Sequence, residues 1–376
     1  GIGKSRLVRE LRRQVPRASL IECRCTPEGQ CSPLHPIVDW LRGLPEAIDQ
    51  LLQRHGFDLA ETLPLLLNLL AIPLDEHAPG LRLSPERQKE LTLAAVVALI
   101  VRMAKARPLV FVLEDLHWAD PTTLEMANAL MEEVRGAQVT RASVQGGLLA
   151  VFTTRPEYAP PWLSADVSVL SVGRLSRREV ASMVHGGLPS DHRLSTEVIE
   201  RIVERTDGVP LFLEEMLHVL AAEHEGTGAE AVPGTLRELL SARLDALSTS
   251  THDTVQVAAA LGREFRYDLL RLAVDKDDWA VRQDLLELVD ARLVYGQRRA
   301  SDEGYVFKHA LVRDAAYESL SRGSRERVPR RIAAATAERL PALADRQPEL
   351  LAHHLERGGD ADAAVECWQK AGDRDF

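Results

Sequence analysis

The chain of 376 residues is 45% hydrophobic and 27% charged, a composition typical of a globular protein with two or three domains. Asp and Glu number 56 against 46 Lys and Arg, and the net charge of -10 excludes a global basic field that would hold nucleic acid or an anionic membrane. The longest apolar runs, residues 63–74 and 91–101, fall short of the roughly 20 residues of a membrane-spanning helix, so we expect no membrane partner.

The first residues, GIGKSRLVREL, contain most of a phosphate-binding loop. Gly1, Gly3, Lys4 and Ser5 match the last part of the pattern G-x-x-x-x-G-K-[ST], in which backbone N–H groups and the lysine face phosphates and the hydroxyl binds Mg²⁺. The first glycine of the pattern and the strand before it would precede this chain, so we expect the chain to be a fragment. The residues predicted to bind ATP or ADP with Mg²⁺ are Gly1, Ile2, Gly3, Lys4, Ser5 and Arg6.

Four side chains that follow the loop are of types that bind zinc. Cys23, Cys25, Cys31 and His35 form the pattern C-x-C-x5-C-x3-H. This spacing matches none of the common paired-ligand signatures, and SLIECRCTP around the first two cysteines alternates like a strand before a turn. We therefore interpret the cysteines as structural and keep zinc as the alternative. Four cysteines make no disulfide framework in a chain of this length, and the cytoplasm is the expected location.

Helices and strands alternate in the first 175 residues. An amphipathic helix follows the loop, residues 34–106 are helical with breaks, and another helix begins at Pro121. The breaks are expected at Pro45, Pro64, Pro73 and Pro85. Strands are predicted at SLIEC (19–23), within PLVFVLEDLHWAD (108–120), within GLLAVFTTRPE (147–157) and at VSVLSVGRL (167–175). The alternation predicts an α/β fold, a parallel sheet flanked by helices that binds its ligand at the carboxyl ends of the strands.

Two acidic residues end the strand within residues 108–120. Glu114 and Asp115 stand where a nucleotide hydrolase needs one carboxylate for Mg²⁺ and one for the attacking water. In the usual order aspartate comes first and glutamate often second. Here the order is reversed, and the longer side chain, Glu114, comes first. We expect Glu114 to hold Mg²⁺ through water and Asp115 to act on the attacking water, with Ser5, Glu114 and Asp115 as the metal-site residues. The shorter aspartate base predicts slow hydrolysis, which suits a timed switch.

The chain after residue 175 is predicted to be almost wholly helical. Residues 204–217 contain one helix that ends near Gly208 and another that begins after Pro210. Two short β-rich pieces, RLVYGQ and GYVFKH, precede a helix within 291–320 and predict a winged-helix-like module. Residues 328–375 form helix–turn–helix segments that resemble the start of a tetratricopeptide repeat. The predicted domains are a P-loop ATPase core at 1–175, a helical lid at 176–232, the winged-helix-like module at 233–320 and the helical repeat at 328–376.

Five segments resemble one class of ATPases when taken in order. They are GIGKSRLVREL, VLEDLHWADPTTLE, VFTTRPE, TDGVPLFLEEML and FKHALVRDAAYESL. Together they are similar to the signal-transduction STAND class of AAA-related P-loop ATPases. The resemblance is strongest to large bacterial predicted ATPases fused to class III adenylate or guanylate cyclases, protein kinases or LuxR-type DNA-binding domains. It implies an ATP-binding, slowly hydrolysing regulatory switch that controls an output domain outside this chain.

The resemblance also implies roles for three residues beyond the acidic pair. Arg155 would act as the sensor of the γ-phosphate, a role that suits a guanidinium because it donates two parallel hydrogen bonds to phosphate oxygens. Pro210 matches the G-x-P motif whose proline packs near the adenine, and His309 matches the histidine that contacts the nucleotide in the closed state. The alternatives are a surface salt bridge for Arg155, a helix breaker for Pro210 and a core histidine for His309.

Two other functions compete with the switch. One is a transcriptional regulator, but residues 233–320 hold 12 Lys and Arg against 15 Asp and Glu, so direct DNA binding by this chain is not expected. The other is a non-hydrolysing scaffold that recruits partners. The expected partners are the nucleotide, proteins that bind the C-terminal helical repeats, and further copies in a nucleotide-dependent oligomer.

Overall fold

The computed structural model describes residues 2–15, 19–72, 83–140, 147–160, 162–163, 167–187, 196–222, 235–298 and 303–375. Gly1 and Pro73, which the sequence analysis singled out, lie outside these residues. The chain divides into two units. The first unit comprises Gly1–Leu7 and Val169–Ala335, and the second unit comprises Val8–Ser168 and Thr336–Phe376.

A parallel sheet lies at the centre of the second unit. Its strands are β1 (Ser19–Arg24), β2 (Leu109–Glu114) and β3 (Leu148–Phe152), in the order β1-β2-β3. Both strand pairs are parallel. Every residue of β2 is buried, as expected for a strand that has a neighbour on each side and is covered on both faces. The predicted parallel α/β sheet is confirmed, and the three predicted strands lie side by side.

The side chains of β2 divide the apolar core into two layers. Val110 and Val112 pack with Val8 of α1 (Lys4–Gln14) on one face of the sheet. Phe111 and Leu113 belong to a larger apolar cluster on the other face. Because successive side chains of a strand point to opposite faces, both faces of the sheet are covered. The helix predicted directly after the loop is confirmed.

Five further helices build the larger core of the second unit. They are α2 (His35–Arg42), α3 (Ile48–Arg54), α4 (Leu59–Leu69), α5 (Pro85–Ala106) and α6 (Pro121–Thr140). Pro45 separates α2 from α3 and Pro85 begins α5, as predicted. The predicted break at Pro64 is wrong, because Pro64 lies inside α4. The burial of Leu65 and Leu66 beside it favours the helical turn although the proline donates no backbone hydrogen bond. No helix within the described ranges is long and apolar enough to cross a membrane.

The first unit contains three helices that come after β3 in the chain. They are α7 (Arg177–Gly187), α8 (Thr196–Thr206) and α9 (Pro210–Ala222), and they share an apolar cluster that includes Val180, Ile202 and Leu213. The strand predicted at residues 167–175 is wrong. An apolar segment becomes a strand only when its backbone pairs with a neighbour, and here the Leu175 N–H donates to the carbonyl oxygen of Gly208 instead. Val169 and Leu170 are strongly exposed.

The rest of the first unit combines helices with a small antiparallel sheet. Its elements in chain order are α10 (Leu236–Asp245), α11 (Thr249–Leu261), β4 (Glu264–Arg266), α12 (Tyr267–Ala273), α13 (Asp278–Asp290), β5 (Val294–Arg298), β6 (Glu303–Phe307) and α14 (Ala310–Glu318). The predicted hairpin is present as β5 and β6, which pair antiparallel. The short strand β4, which pairs with β6, was not predicted. The winged-helix interpretation of this module stays a prediction.

Four helices complete the described chain: α15 (Ser324–Arg339), α16 (Pro341–Arg346), α17 (Pro348–Arg357) and α18 (Ala361–Asp375). α17 and α18 pack against each other, and their buried residues include Ala352 on the first helix and Ala364 and Ala371 on the second. Small side chains of this kind allow two helices to approach closely. The predicted helix–turn–helix arrangement is confirmed.

A histidine lies in the core of this helical pair. His354 of α17 is 1% exposed, and neither of its ring nitrogens has a hydrogen-bond partner within the described residues. Burial, aided by the positive charges of His353 and Arg357, lowers the pKa of His354 to about 3. The ring is therefore neutral at pH 7 and behaves as an apolar core side chain.

We predict that His354 makes the stability of the chain depend on pH. Its pKa falls from the ordinary 6.5 to about 3 on folding, so its stabilising contribution is complete above pH 6.5 and is lost as the pH falls toward 3. Between pH 7 and pH 5, wild type should lose about 2 kcal/mol more of its free energy of unfolding than His354→Leu does. Urea denaturation at both pH values measures this, with His185→Gln, at an exposed position of α7, as the control that keeps the wild-type dependence. An equal loss in wild type and His354→Leu would contradict the prediction.

Candidate functional site

The carboxyl ends of the three parallel strands bring the predicted acidic pair and the predicted sensor to one edge of the sheet. Arg24 at the end of β1 lies opposite Glu114 at the end of β2, and Phe152 at the end of β3 lies opposite Leu113. Asp115 follows directly on β2, and Arg155 lies three residues after the end of β3. This is the edge at which open α/β sheets bind their ligands.

Glu114 is buried and paired with a residue that the sequence did not single out. Its side chain is 1% exposed, and Arg24 Nη2 donates a hydrogen bond of 2.6 Å to Glu114 Oε2. A carboxylate loses its hydration on burial and stays ionised only where an opposite charge or hydrogen bonds replace the water. Arg24 supplies that charge, so the pair fixes the position of the Glu114 carboxylate at the sheet edge.

Asp115 turns the chain sharply away from β2. Its φ of 56° lies in the left-handed region, which costs free energy for a residue with a side chain but is tolerated best by aspartate and asparagine. The Asp115 N–H donates to Thr153 Oγ1 over 3.0 Å. The Leu116 N–H donates to the Thr153 carbonyl oxygen over 2.8 Å, and the Thr153 N–H donates to the Leu113 carbonyl oxygen over 3.1 Å. Thr153 therefore joins the segments that follow β2 and β3.

Arg155 is exposed and lies over an aromatic ring from the neighbouring segment. Its Cζ atom is 5.6 Å from the ring centroid of Trp118, which ends the 3₁₀ turn Leu116–Trp118. A guanidinium within about 6 Å of an indole face makes a cation–π contact. Trp118 therefore contacts Arg155, the predicted sensor, and the sequence did not indicate this contact.

Asp120 has a structural role that the sequence analysis missed. Its Oδ1 accepts a hydrogen bond from the backbone N–H of Thr123 at 2.9 Å and one from the backbone N–H of Leu34 at 3.2 Å. Its Oδ2 accepts from the Thr123 hydroxyl. Asp120 therefore caps α6 and anchors the start of α2. An aspartate followed by proline and, three positions later, threonine is a helix-start signal that a search for caps would have found.

The cysteines of the zinc alternative do not form a cluster of ligands. Cys23 and Cys25 are buried, whereas Cys31 is exposed. Burial, together with the charges of Asp120 and Asp115, raises the pKa of the Cys25 thiol to about 12. A thiol with such a pKa is protonated at neutral pH, which agrees with a structural role for this cysteine. Among the residues that the structure describes, no group of three potential ligands is positioned to hold a metal ion.

The phosphate-loop remnant leads into a helix, as its proposed chemistry requires. Gly3 has a φ of 97°, and its carbonyl oxygen accepts hydrogen bonds from the N–H groups of Arg6 and Leu7. α1 begins at Lys4, so Lys4, Ser5 and Arg6 form its first turn. The N-terminus of a helix carries the positive end of the helix dipole, which favours anionic ligands. Ile2 precedes this turn and is partly buried.

Pro210 begins α9 after a tight turn in the first unit. Gly208 has a φ of 66°, and its carbonyl oxygen accepts the hydrogen bond of 2.7 Å from Leu175. A side chain at Gly208 would place its Cβ 2.2 Å from the Leu175 carbonyl oxygen, so only glycine fits. The proline occupies the first helical position, where its missing N–H costs nothing. The structure confirms the two helices predicted around this motif and leaves its contact with adenine as a prediction.

His309 lies beside a cluster of charges that joins α9 to the β6–α14 junction. Lys308 Nζ is 2.7 Å from Glu214 Oε1 and 3.4 Å from the fully buried Glu215, while His309 Nε2 is 3.9 Å from Glu214 Oε2. Arg243 of α10 pairs with Glu215 as well. Burial lowers the pKa of His309 to about 4, with Lys308 and Arg263 contributing and Glu214 opposing. A neutral imidazole at pH 7 is available to a ligand as donor or acceptor.

The N-terminal part of the chain matches a known protein family. Residues 1–141 match the AAA ATPase domain family. This range contains the phosphate-loop remnant, all of β1 and β2, the acidic pair and Trp118. The predicted recognition of an AAA-related P-loop ATPase is thereby confirmed.

Two longer proteins are similar to nearly the whole chain. An uncharacterized protein of Rhizobium meliloti (strain 1021) is 28% identical over 413 residues, which cover 99% of this chain and 37% of that protein. The second is the crystal structure of a Signal Transduction ATPase with Numerous Domains (STAND) protein with a tetratricopeptide repeat sensor from Pyrococcus horikoshii. It is 12% identical with a TM-score of 0.49, over 98% of this chain and 57% of the other. The chain therefore spans well under two thirds of either relative.

We predict that Arg24 stabilises the fold through the charge of Glu114. Arg24→Met removes the cation that pairs with the buried Glu114 carboxylate and should lower the free energy of unfolding by about 3 kcal/mol, the lower end for a broken buried pair because Arg24 is one-fifth exposed. Arg24→Met combined with Glu114→Gln removes the charge and should recover most of the loss. Urea denaturation of the two variants and of wild type measures both effects. Equal losses in the single and double variants would show that the ion pair does not stabilise the sheet edge.

Proposed function

We propose that the AAA ATPase domain at residues 1–141 makes this chain the ATP-binding and slowly hydrolysing switch of a STAND-type signalling protein. The observation that carries the proposal is the edge of the parallel sheet, where Glu114, Asp115 and Arg155 follow neighbouring strands. An acidic pair and a cation at the carboxyl edge of such a sheet are the groups that phosphoryl transfer to water requires. ATP, ADP and Mg²⁺ are the proposed ligands.

The residues of the loop bind the ground state of the nucleotide in this function. Lys4 faces the β- and γ-phosphates, the N–H groups at Gly3 and in the first turn of α1 donate to phosphate oxygens, and Ser5 contributes its hydroxyl. The hydroxyl of Ser5 and the carboxylates of Glu114 and Asp115 are hard oxygen donors, which fit Mg²⁺. When bound, Mg²⁺ neutralises negative charge on the phosphates.

The two acidic residues divide the remaining work. Glu114 Oε2 already accepts from Arg24, so Glu114 is held in place and acts on the metal through water. Asp115 accepts a proton from the attacking water as the water oxygen bonds to the γ-phosphorus. The bond from that phosphorus to the β–γ bridging oxygen breaks, and ADP and inorganic phosphate are released. Arg155 donates to the γ-phosphate oxygens, where negative charge must be stabilised.

The lid and the module that follows it report the state of the nucleotide. Pro210 packs near the adenine, and His309 contacts the nucleotide in the closed state. The charge cluster of Glu214, Glu215 and Lys308 supports this proposal, because it ties α9 to the chain segment that carries His309. A change at either element is therefore transmitted to the other.

The output of the switch lies in another part of the protein. A class III nucleotide cyclase is the first proposal, and a kinase or a LuxR-type DNA-binding domain is the alternative. α17 and α18 offer a start for helical repeats that bind protein partners, and nucleotide-dependent oligomerisation is part of the proposal. The charge balance of residues 233–320 does not favour direct DNA binding by this chain. A cytoplasmic location follows from the use of ATP.

We predict that Lys4→Ala abolishes ATP binding. The substitution removes the cation that faces the phosphates in the ground state, so affinity itself is lost. Isothermal titration calorimetry with ATP and Mg²⁺, on the product of the complete reading frame that encodes this chain, measures the effect. Arg12→Ala, which removes a positive charge from the last turn of the same helix, is the matched control and should bind as wild type does. Equal affinity in wild type and Lys4→Ala would rule out the proposed loop.

We predict that Asp115→Asn separates binding of ATP from its hydrolysis. Asparagine keeps the size of the side chain and removes its charge, so ATP still binds while turnover falls at least about tenfold, because general-base assistance typically contributes about a hundredfold or more. Asp253→Asn, at an exposed position of α11, is the control that should keep wild-type turnover. Release of phosphate and calorimetric affinity are measured together. Unchanged turnover in Asp115→Asn would move the role to another residue, and absence of turnover in wild type would favour the scaffold.

A further inference from the structure

Trp118 lies at the sheet edge, where it both packs against the apolar core and contacts a cation. The residue ends the short turn after Asp115 and is only partly buried against the apolar core of the second unit. Its ring centroid is 5.3 Å from that of His117, and the Cζ atom of Arg155 lies 5.6 Å from it. A tryptophan that serves packing alone would turn its faces toward apolar side chains, whereas this one offers a face to a cation.

The segments that carry Trp118 and Arg155 are held together by backbone hydrogen bonds. Thr153, two residues before Arg155, accepts from the N–H groups of Asp115 and Leu116 and donates to the carbonyl oxygen of Leu113. The Trp118 N–H in turn donates to the carbonyl oxygen of Asp115 over 2.8 Å. These bonds hold the backbone segments that carry Trp118 and Arg155 next to each other.

Arg155 has two kinds of partner within reach in the proposed function. The indole face offers an exposed cation–π contact, which is weak, whereas a phosphate offers charged and bidentate hydrogen bonds, which are strong. Without a restraint, a flexible exposed arginine samples many rotamers and pays an entropic cost when it is fixed. A weak contact close to the sheet edge reduces that cost if the guanidinium keeps it while donating to a phosphate.

We propose that Trp118 is a positioning residue for Arg155. Its indole holds the guanidinium beside the sheet edge, and the guanidinium keeps this contact while its N–H groups donate to the γ-phosphate oxygens. The proposal rests on the proposed function, since it assumes that Arg155 acts on the γ-phosphate. It assigns a task to the tryptophan of DLHWADPTTLE and makes the ring a reporter of the nucleotide state.

The turnover rates of four variants test the positioning role. Trp118→Leu keeps an apolar side chain without a π face and should slow turnover about two- to fivefold, the fold-change that corresponds to an exposed cation–π contact. Trp118→Phe keeps an aromatic face and should restore most of the rate. Arg155→Ala should slow turnover at least about tenfold, and adding Trp118→Leu to it should cause no further loss. A purely structural tryptophan would instead add its own loss to that of Arg155→Ala.

Fluorescence supplies a readout that does not depend on hydrolysis. Adding Mg²⁺ and an ATP analogue with an imido group in the β,γ bridge should change the tryptophan emission, and Mg²⁺ with ADP should not. The change should disappear in Trp118→Phe and in Arg155→Ala, while Trp279→Phe, at a position that is 72% exposed, should retain it. Circular dichroism confirms that each variant is folded.

The outcomes separate the two proposals. If Arg155→Ala turns over as wild type does, or wild type neither binds nor hydrolyses ATP, the proposed function fails. If Arg155→Ala is slow while Trp118→Leu has the wild-type rate, or the two losses add, the positioning role alone is overturned. An emission change that persists in Trp118→Phe overturns it as well.

Discussion

The parallel pairing of β1, β2 and β3 is the constraint on which the proposed site depends. Parallel strands end at the same edge, so residues 90 positions apart, Arg24 and Glu114, come within one hydrogen bond of each other. The apolar side chains of β2, buried on both faces, fix that register. A shift by one residue would turn the strand's core side chains over and separate Glu114 from its cation.

The same edge shows how polar groups are kept in place after the strands end. Glu114 is paired, the N–H groups of Asp115 and Leu116 bond to Thr153, and Asp120 accepts hydrogen bonds from α6 and from the start of α2. Buried polar groups without such partners destabilise a fold, so each bond here both stabilises the chain and sets a position. Asp115 has a left-handed conformation at this edge, as does Leu34 at the start of α2, and backbone strain of this kind concentrates at functional sites.

Patterns within single segments predicted the elements well, and partners distant in sequence were not predicted. The apolar run of β2 with its two acids located both the strand and the edge. Residues 167–175 have a similar apolar pattern and yet form no strand, because pairing depends on a neighbour that the pattern does not reveal. Pro64 was predicted to interrupt a helix because proline disfavours helix within its own segment. The burial of Leu65 and Leu66 beside it depends on the whole core, which the segment does not reveal.

The residues missed at the site were missed for the same reason. Arg24 reads as an ordinary charged residue at the end of a strand, and only the sheet order places it on Glu114. The proximity of Trp118 to Arg155 depends on the hydrogen bonds between Thr153, which follows β3, and the segment that follows β2, and no pattern within either segment reveals them. Asp120 is the exception, since the helix-start signal that predicts its role is contained in the sequence DPTT.

The central claim is that the edge formed by Glu114, Asp115 and Arg155 receives the γ-phosphate. A crystal structure of the complete protein with Mg²⁺, ADP and beryllium trifluoride, which takes the place of the γ-phosphate, tests it most directly. The result we expect places the fluoride group within hydrogen-bond distance of the Arg155 guanidinium and beside Asp115, with Lys4 on the phosphates. A nucleotide bound with its phosphates away from this edge would contradict the claim.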